Sequence, residues 1–127
     1  TLKIAAKYAD EWNVWGNVET LVRKMSILDQ HCEGLNRDPA TLERCAVALL
    51  FLSDNEGYLS RVRDSAPADR SIIGGINEVR DIVAGYSEAG VKELIIPDFT
   101  LGTLIGADQK KRDLMEKFIT EVATVVA

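Results

Sequence analysis

Residues 45–52 (CAVALLFL) form the longest apolar run in the chain and are the strongest indication of its fold. A strand that is apolar at every position needs a cover on both faces, whereas an alternating strand needs a cover on only one. Fully apolar strands are typical of parallel sheets, in which helices connect successive strands. The run therefore predicts a central strand of a parallel α/β sheet.

Two other segments predict strands earlier and later in the chain. Residues 11–15 (EWNVW) are aromatic and β-branched and stop at Gly16, and residues 93–97 (ELIIP) form another short apolar run. Helical patterns lie between the strands, where apolar residues recur at intervals of three and four. They are Leu21, Met25, Leu28, Cys32 and Leu35 after a capping Asn17, and Val79, Ile82, Val83 and Tyr86 after Asn77. The alternation of helices and strands predicts parallel pairing with right-handed crossovers.

Two architectures are consistent with this order. A doubly wound sheet carries helices on both faces and usually has about five or more strands. A (βα)8 barrel carries helices on its outer face only, and side chains from all of its strands fill the interior. The strands correspond to about three βα units of such a barrel, and the inner face of residues 45–52 has no cover within the chain. We therefore predict an α/β fold, the C-terminal part of a TIM-like (βα)8 barrel, with residues 1–127 as a single partial domain.

The strand count leaves a third architecture open. A small, complete flavodoxin-like domain would need about five strands, and Ile72–Ile73 is a short run that could supply a further one. The first residues favour the partial barrel instead. Residues 1–9 (TLKIAAKYA) have the apolar spacing of the middle of a helix and lack the acidic first turn of a typical start. We therefore expect this chain to be the C-terminal piece of a larger domain.

Composition narrows the possible partners. Fifteen Lys and Arg residues against twenty Asp and Glu residues give a net charge of −5, and no basic run is present, so we expect no nucleic-acid partner. No apolar run is long enough to span a bilayer, which favours a soluble, cytoplasmic protein without a membrane partner. Cys32 and Cys45 have no motif spacing and are expected to be buried, reduced thiols. With His31 as the single histidine and no grouped carboxylates, we expect no metal site.

Barrel geometry places candidate site residues where the strands end. Active sites of (βα)8 barrels lie at the C-terminal ends of the strands and in the loops that follow. The residues at these positions are Asn13, Val14, Trp15 and Gly16, then Ser53, Asp54 and Asn55, and then Asp98, Phe99 and Thr100. Because side chains alternate along a strand, Trp12 and Trp15 point to opposite faces and at most one of them lines the site.

Each candidate also has a structural interpretation. Asn13 could hydrogen-bond a ligand or satisfy a local turn. Asp54 and Asp98 could act as acid, base or substrate contact, or could cap the next helix or solvate a loop. His31 lies toward the far end of its helix, away from the strand ends. Gly74–Gly75 precedes a helix and could hold a phosphate, but no strand is evident directly before it, which favours a turn.

Three stretches carry a family resemblance. They are residues 1–16 (TLKIAAKYADEWNVWG), 28–39 (LDQHCEGLNRDP) and 74–99 (GGINEVRDIVAGYSEAGVKELIIPDF). In order and spacing they resemble the C-terminal third of luciferase-like monooxygenases, particularly the coenzyme F-420 (deazaflavin)-dependent oxidoreductases. The most specific pieces are residues 9–13 (ADEWN, where many members have Gly at the position of Glu11) and 36–39 (NRDP), together with Ala89-Gly90-Val91 before the last strand.

The resemblance implies a function as well as a fold. It implies a TIM-like barrel that binds F-420 or FMN at the C-terminal ends of its strands and acts on a small organic substrate by hydride transfer or oxygenation. Asn13, Trp15 and Gly16 would then contact the cofactor, with Ser53, Asp54, Asp98 and Phe99 at the rim. The cofactor would carry the chemistry, so no nucleophile and base need to be present.

The resemblance also implies an incomplete site. Members of the family have a glycine-rich phosphate-binding segment just before the position that matches Thr1, so we do not expect this chain alone to hold the whole cofactor. The alternative is a noncatalytic βα assembly module. Its exposed sheet face would be buried by a second copy, giving a homo-oligomer, or by a complementing N-terminal part of the barrel.

Overall fold

The computed structural model describes residues 1–101 and 108–126, in which parallel strands alternate with helices. The strands are β1 (Glu11–Trp15), β2 (Glu43–Val47), β3 (Leu49–Leu52), β4 (Ser71–Gly74) and β5 (Glu93–Ile95). The helices are α1 (Leu2–Tyr8), α2 (Val18–Gly34), α3 (Glu56–Ser65), α4 (Ile76–Glu88), α5 (Asp108–Phe118) and α6 (Thr124–Val126). Short 3-10 turns span Pro39–Thr41, Ala68–Arg70 and Asp98–Thr100, and a π-helical turn, Ile119–Ala123, joins α5 to α6. None of the helices in these ranges is long and apolar enough to cross a membrane.

The apolar run forms the central strand of the sheet. β2 pairs in parallel with β1 on one side and with β5 on the other, and β3 pairs in parallel with β4. β2 and β3 are consecutive parts of one extended segment, interrupted only at Ala48. The start of β4 adjoins the end of β1, where the Asn17 N–H donates to the Asp69 carbonyl at 2.6 Å. All strand ends therefore point to the same edge of the sheet.

One face of the strands is packed against the helices. Side chains alternate along the strands, and Ala46, Leu50 and Ile72 are fully buried on the helix-facing side. They belong to one core with the apolar residues of α2 and α4 and the end of α5. The helix residues in that core are Leu21, Met25, Leu28, Cys32, Val79, Val83, Tyr86 and Phe118. The predicted apolar helix faces are thus confirmed at these positions. Ile82 is only partly buried, and Leu35, which follows α2 as its C-cap, is 38% exposed.

The other face of the sheet, which we call the open face, lacks such a cover. Its strand residues are Glu11, Asn13, Trp15, Glu43, Cys45, Val47, Leu49, Phe51, Ser71, Ile73, Glu93 and Ile95. Trp15 is 40% exposed and Ile95 38% exposed, and Val47, Leu49 and Phe51 are only partly buried. The sequence-based expectation that the inner face of the apolar run has nothing to pack against is met only in part among the described residues, because Cys45 on this face is 2% exposed.

The strand count differs from the sequence-based interpretation. Ile72 and Ile73 lie in β4, a strand of four residues that the periodicity analysis did not assign. The extra strand does not produce a doubly wound sheet, because its Ile72 joins the same one-sided core and Ile73 lies on the open face. The architecture remains that of parallel βα units with helices on one side.

The NRDP turn at residues 36–39 has a clear structural role. Asn36 adopts a positive φ of 54°, a region that Asn tolerates better than most residues. Arg37 then donates to the carbonyls of Ala6 (3.0 Å) and Ala9 (2.6 Å), which satisfies acceptors at the end of α1. Asp38 caps the following 3-10 turn by accepting from the Ala40 N–H. The turn holds α1 against the rest of the fold.

Candidate functional site

An apolar patch lies on the open face close to the C-terminal ends of the strands. The register of the sheet places Trp15, Val47 and Ile95 side by side across β1, β2 and β5. Leu49, Phe51 and Ile73 extend this patch along β3 and β4. We call these six side chains the apolar patch. They present a broad hydrophobic surface on which a planar ring could lie.

The two tryptophans occupy opposite faces, as predicted. Trp12 is 8% exposed within the core, whereas Trp15 is 40% exposed within the apolar patch. Asn13 shares the open face with Trp15 and is exposed in the middle of β1. Within the part of the chain that the structure describes, its side chain makes no hydrogen bond, and it lies within a strand rather than in a turn. Trp15 and its neighbour Asn13 are therefore accessible to a ligand.

Gly16 is held by internal contacts at the end of β1. Its N–H donates to the Val47 carbonyl at 3.2 Å, and its carbonyl accepts from the Tyr86 hydroxyl at 2.8 Å. A side chain here would meet Leu21 and Thr20, because a Cβ atom would lie 3.3 Å from each. Burial raises the pKa of Tyr86 to about 12, so this hydroxyl remains a donor at neutral pH. Gly16 thus fixes where β1 ends relative to α2 and α4.

Asp54 and Asp98 at the rim both form ion pairs with α5. Lys117 Nζ lies 3.5 Å from Asp54 Oδ2, and Lys111 Nζ lies 3.3 Å from Asp98 Oδ2. Neither aspartate caps a helix as the structural interpretation suggested, since Asn55 caps α3 by accepting from the Tyr58 N–H at 2.8 Å. Both aspartate side chains remain largely exposed, Asp54 at 80% and Asp98 at 61%, as expected of acidic residues that solvate a loop.

The other predicted rim residues differ in accessibility. Phe99 is 58% exposed and lies in the short 3-10 turn that follows β5. Ser53 Oγ accepts from the Asn55 N–H at 3.1 Å, and Thr100 Oγ1 donates to the Leu50 carbonyl at 2.6 Å. Phe99 is thus available to a ligand, whereas Ser53 and Thr100 stabilise the loops that carry the rim.

Gly74–Gly75 requires a correction. The pair directly follows strand β4 and precedes α4, so the strand that the sequence interpretation found missing is present. The space above Gly74 is nevertheless filled, because a Cβ atom there would lie 2.9 Å from the Cβ of Glu78. Glu78 also places a carboxylate at the start of α4, where it accepts from Arg63 at 3.3 Å. A phosphate at this helix start would meet that negative charge, which argues against a phosphate site here.

A group that the sequence interpretation missed lies at the opposite end of the open face. A carboxylate oxygen of Glu11, the thiol of Cys45 and a carboxylate oxygen of Glu93 all lie within 4.8 Å of one another. Burial of the Cys45 thiol, its hydrogen bond to Glu11 and the nearby charges of Glu93 and Glu43 raise its pKa to about 11. The expectation of no grouped carboxylates is therefore wrong. The alternation of the strands, combined with their register, was the signal that could have found this group.

No protein-family model matches this chain, and no curated protein matches it either. Solved structures do match. Coenzyme F-420-dependent tetrahydromethanopterin reductase from Methanopyrus kandleri superposes with a TM-score of 0.69 at 12% identity, over 99% of this chain and 48% of that protein. An F-420-dependent secondary alcohol dehydrogenase, solved with an F-420–acetone adduct, gives 0.59 at 12% identity, over 75% of this chain and 39% of the other.

A third similar structure is a long-chain alkane monooxygenase, with a TM-score of 0.61 at 13% identity over 91% of this chain and 36% of that one. All three have the TIM-barrel fold of the luciferase-like monooxygenases. The likeness shows the fold: this chain has the architecture of part of a TIM-like (βα)8 barrel, with parallel strands and helices on the outer face. The chain spans less than half the length of each of the three proteins.

Proposed function

We propose that this chain is the C-terminal part of a luciferase-like (βα)8-barrel oxidoreductase or monooxygenase. The proposed enzyme uses F-420 or FMN and acts on a small organic substrate by hydride transfer or oxygenation. The observation that carries the proposal is the apolar patch, which lies on the inner face of the partial barrel and next to the C-terminal strand ends. Active sites of (βα)8 barrels are found at this position.

The residues present fit the ring portion of such a cofactor. The exposed faces of Trp15 and Ile95 offer an apolar surface for a flat tricyclic ring, and the Asn13 amide is free to hydrogen-bond at a ring edge. Gly16 shapes the end of β1, and Phe99 stands exposed at the rim where it would exclude water from the ring. The bound flavin or deazaflavin would supply the redox chemistry. The protein residues would bind the ring, orient it and shield it from water.

The residues described do not provide a complete site for the phosphate portion. The helix start after Gly74–Gly75 carries Glu78, and the lysines nearest the rim are paired with Asp54 and Asp98. We therefore propose that a complementing N-terminal part of the barrel supplies the phosphate contacts. Ser53, Asp54 and Asp98 then border the entrance through which the substrate reaches the ring.

The noncatalytic assembly module remains the second candidate function, because the apolar patch is also the kind of surface that oligomers bury. In that case two copies would close their open faces on each other. The charges at the other end of this face make such a homo-oligomer the weaker proposal, as argued below.

Titration of the purified chain with F-420 and, separately, with FMN tests the proposal. The Trp12→Phe variant emits from Trp15 alone, and the Trp15→Phe variant emits from Trp12 alone, since the chain has 2 tryptophans. We expect a high concentration of cofactor to quench the emission of the first variant much more than that of the second, with weak binding because the phosphate contacts come from another part of the barrel. Equal quenching of both variants, or quenching of neither, would contradict the assignment of this face as the cofactor site.

A further inference from the structure

The end of the open face farthest from the rim carries only negative charge. Glu11, Glu43 and Glu93 stand at or near the first positions of β1, β2 and β5, and we call these three residues the acidic end. None of the strand residues on the open face is Lys or Arg. Arg44, the basic residue within β2, faces the helices and is paired with Asp29 of α2. The acidic end has no positive partner among the residues that the structure describes.

The geometry of the acidic end concentrates this charge. The carboxylates of Glu11 and Glu93 approach the same buried thiol, Cys45, which is 2% exposed between them. Like charges this close repel each other, and the repulsion grows when water is excluded. Burial raises the pKa of the Cys45 thiol, and the neighbouring carboxylates raise it further. Any molecule that covers the open face must therefore compensate the acidic end or leave buried charges unpaired.

A second copy of this chain does not meet that requirement. Face-to-face packing in one orientation brings two acidic ends together. In the reverse orientation each acidic end approaches the rim, where Lys111 and Lys117 are already paired with Asp98 and Asp54. A metal ion would compensate the charge but would leave the apolar patch in water. The occupant must therefore combine an apolar surface with a positive charge.

We infer that the open face binds an apolar β-sheet face that carries a Lys or Arg side chain positioned between Glu11 and Glu93. Its apolar side chains would cover the apolar patch, and its cation would pair with the acidic end. Under the proposed function, on which the identity of this partner rests, the partner is the N-terminal part of the barrel. The cation would then fill the bottom of the barrel, opposite the cofactor.

A pair of synthetic β-hairpin peptides tests the inference. Both have valines on one face and differ only at one end of that face, where one carries Lys and the other Glu. We expect the Lys peptide to bind about tenfold more tightly than the Glu peptide, because a like charge is penalised in a covered interface. Blue-shifted emission from Trp15 in the Trp12→Phe variant reports binding. The preference should shrink as NaCl is raised, since salt screens partly exposed charges.

Variants of the protein test whether Glu11 and Glu93 cause the preference for the Lys peptide. The double variant Glu11→Gln, Glu93→Gln should bind both peptides almost equally, whereas the matched control Glu33→Gln, Glu88→Gln, on exposed helix positions, should keep the preference. If circular dichroism shows that the first double variant does not fold, the salt titration of the unaltered protein tests whether the preference for the Lys peptide is electrostatic. Equal binding of the two peptides, binding of neither, or a stable homodimer that closes this face would overturn the inference.

The outcome is separable from that of the proposed function. Quenching of Trp15 by cofactor with no charge preference for the peptides would overturn the inference and leave the proposed function in place. A clear preference for the Lys peptide with no cofactor binding at Trp15 would support the inference and contradict the assignment of the cofactor site.

Discussion

The two faces of the central strand contain similar residues but have different surroundings. Leu50 is fully buried against the helices, and its neighbours Leu49 and Phe51 on the open face are only partly buried. In sequence these positions look alike, since every residue from 45 to 52 is apolar. The difference teaches that an apolar pattern states which side chains need cover, whereas the topology determines whether the same chain supplies it.

The largest expected effect compares these two faces directly. Leu50→Ala should lower the free energy of unfolding by about 2 to 5 kcal/mol, because it leaves a cavity in a closed core. Phe51→Ala should cost only about 1 kcal/mol, because the ring is partly solvated before and after the change. Urea denaturation of both variants measures the difference. Equal costs would mean that the open face is covered in solution, and a dependence on protein concentration would then identify self-association.

A smaller effect is expected where α4 meets the end of β1. Tyr86→Phe removes the hydrogen bond to the Gly16 carbonyl and leaves that buried acceptor unpaired, which should cost about 1 to 2 kcal/mol. Tyr8→Phe is a matched control, because Tyr8 is 71% exposed and should change stability little. A Tyr86→Phe variant as stable as the parent would contradict the proposed role of this bond.

The same tyrosine gives the chain a defined response to alkaline pH. Its pKa is raised from 10.0 to about 12 by burial, so the folded chain holds the proton more tightly than the unfolded chain. The resulting stabilisation is complete below pH 10 and is lost as the pH rises toward about 12. Tyr86→Phe should therefore flatten the fall in melting temperature over this interval. An unchanged slope in the variant would assign the alkaline transition to another group.

The acidic end should be detectable through the reactivity of Cys45. The raised pKa of this thiol, about 11, keeps it protonated and slow to alkylate at pH 8. Glu11→Gln removes a negative charge next to the thiol and should increase the rate of iodoacetamide labelling. Cys45→Ser identifies the label, because the variant keeps only the other of the chain's 2 cysteines, Cys32. A rate unchanged by Glu11→Gln would argue that Glu11 does not influence this thiol in solution.

Local features were predictable from the sequence because their causes are local. The Asn17 cap of α2, the opposite directions of Trp12 and Trp15, and the buried face of α4 follow from spacing of a few residues. β4 was missed because Ile72 and Ile73 form too short a run for a periodicity to emerge.

The candidate site was only partly predictable for a related reason. The strand ends follow from the order of elements, so the positions of Trp15 and Phe99 could be anticipated. The Glu11, Cys45 and Glu93 group depends on the register between strands that are distant in sequence. The pairing of Asp54 and Asp98 with lysines of α5 likewise depends on where a later helix packs. No pattern within a single element contains that information.

The smallest expected effect concerns these rim ion pairs. Asp98→Asn should lower the free energy of unfolding by only about 0.2 to 1 kcal/mol, because the Asp98 carboxylate is 61% exposed and its pair with Lys111 is screened by water. Raising NaCl to about 1 M should remove most of the difference between variant and parent. Asp98→Glu is the control, since it keeps the charge. A cost well above this range, or one that salt does not reduce, would show that the Asp98 carboxylate is less exposed in solution than the structure indicates. The open face would then be covered at the rim and would differ less from the helix-facing side there.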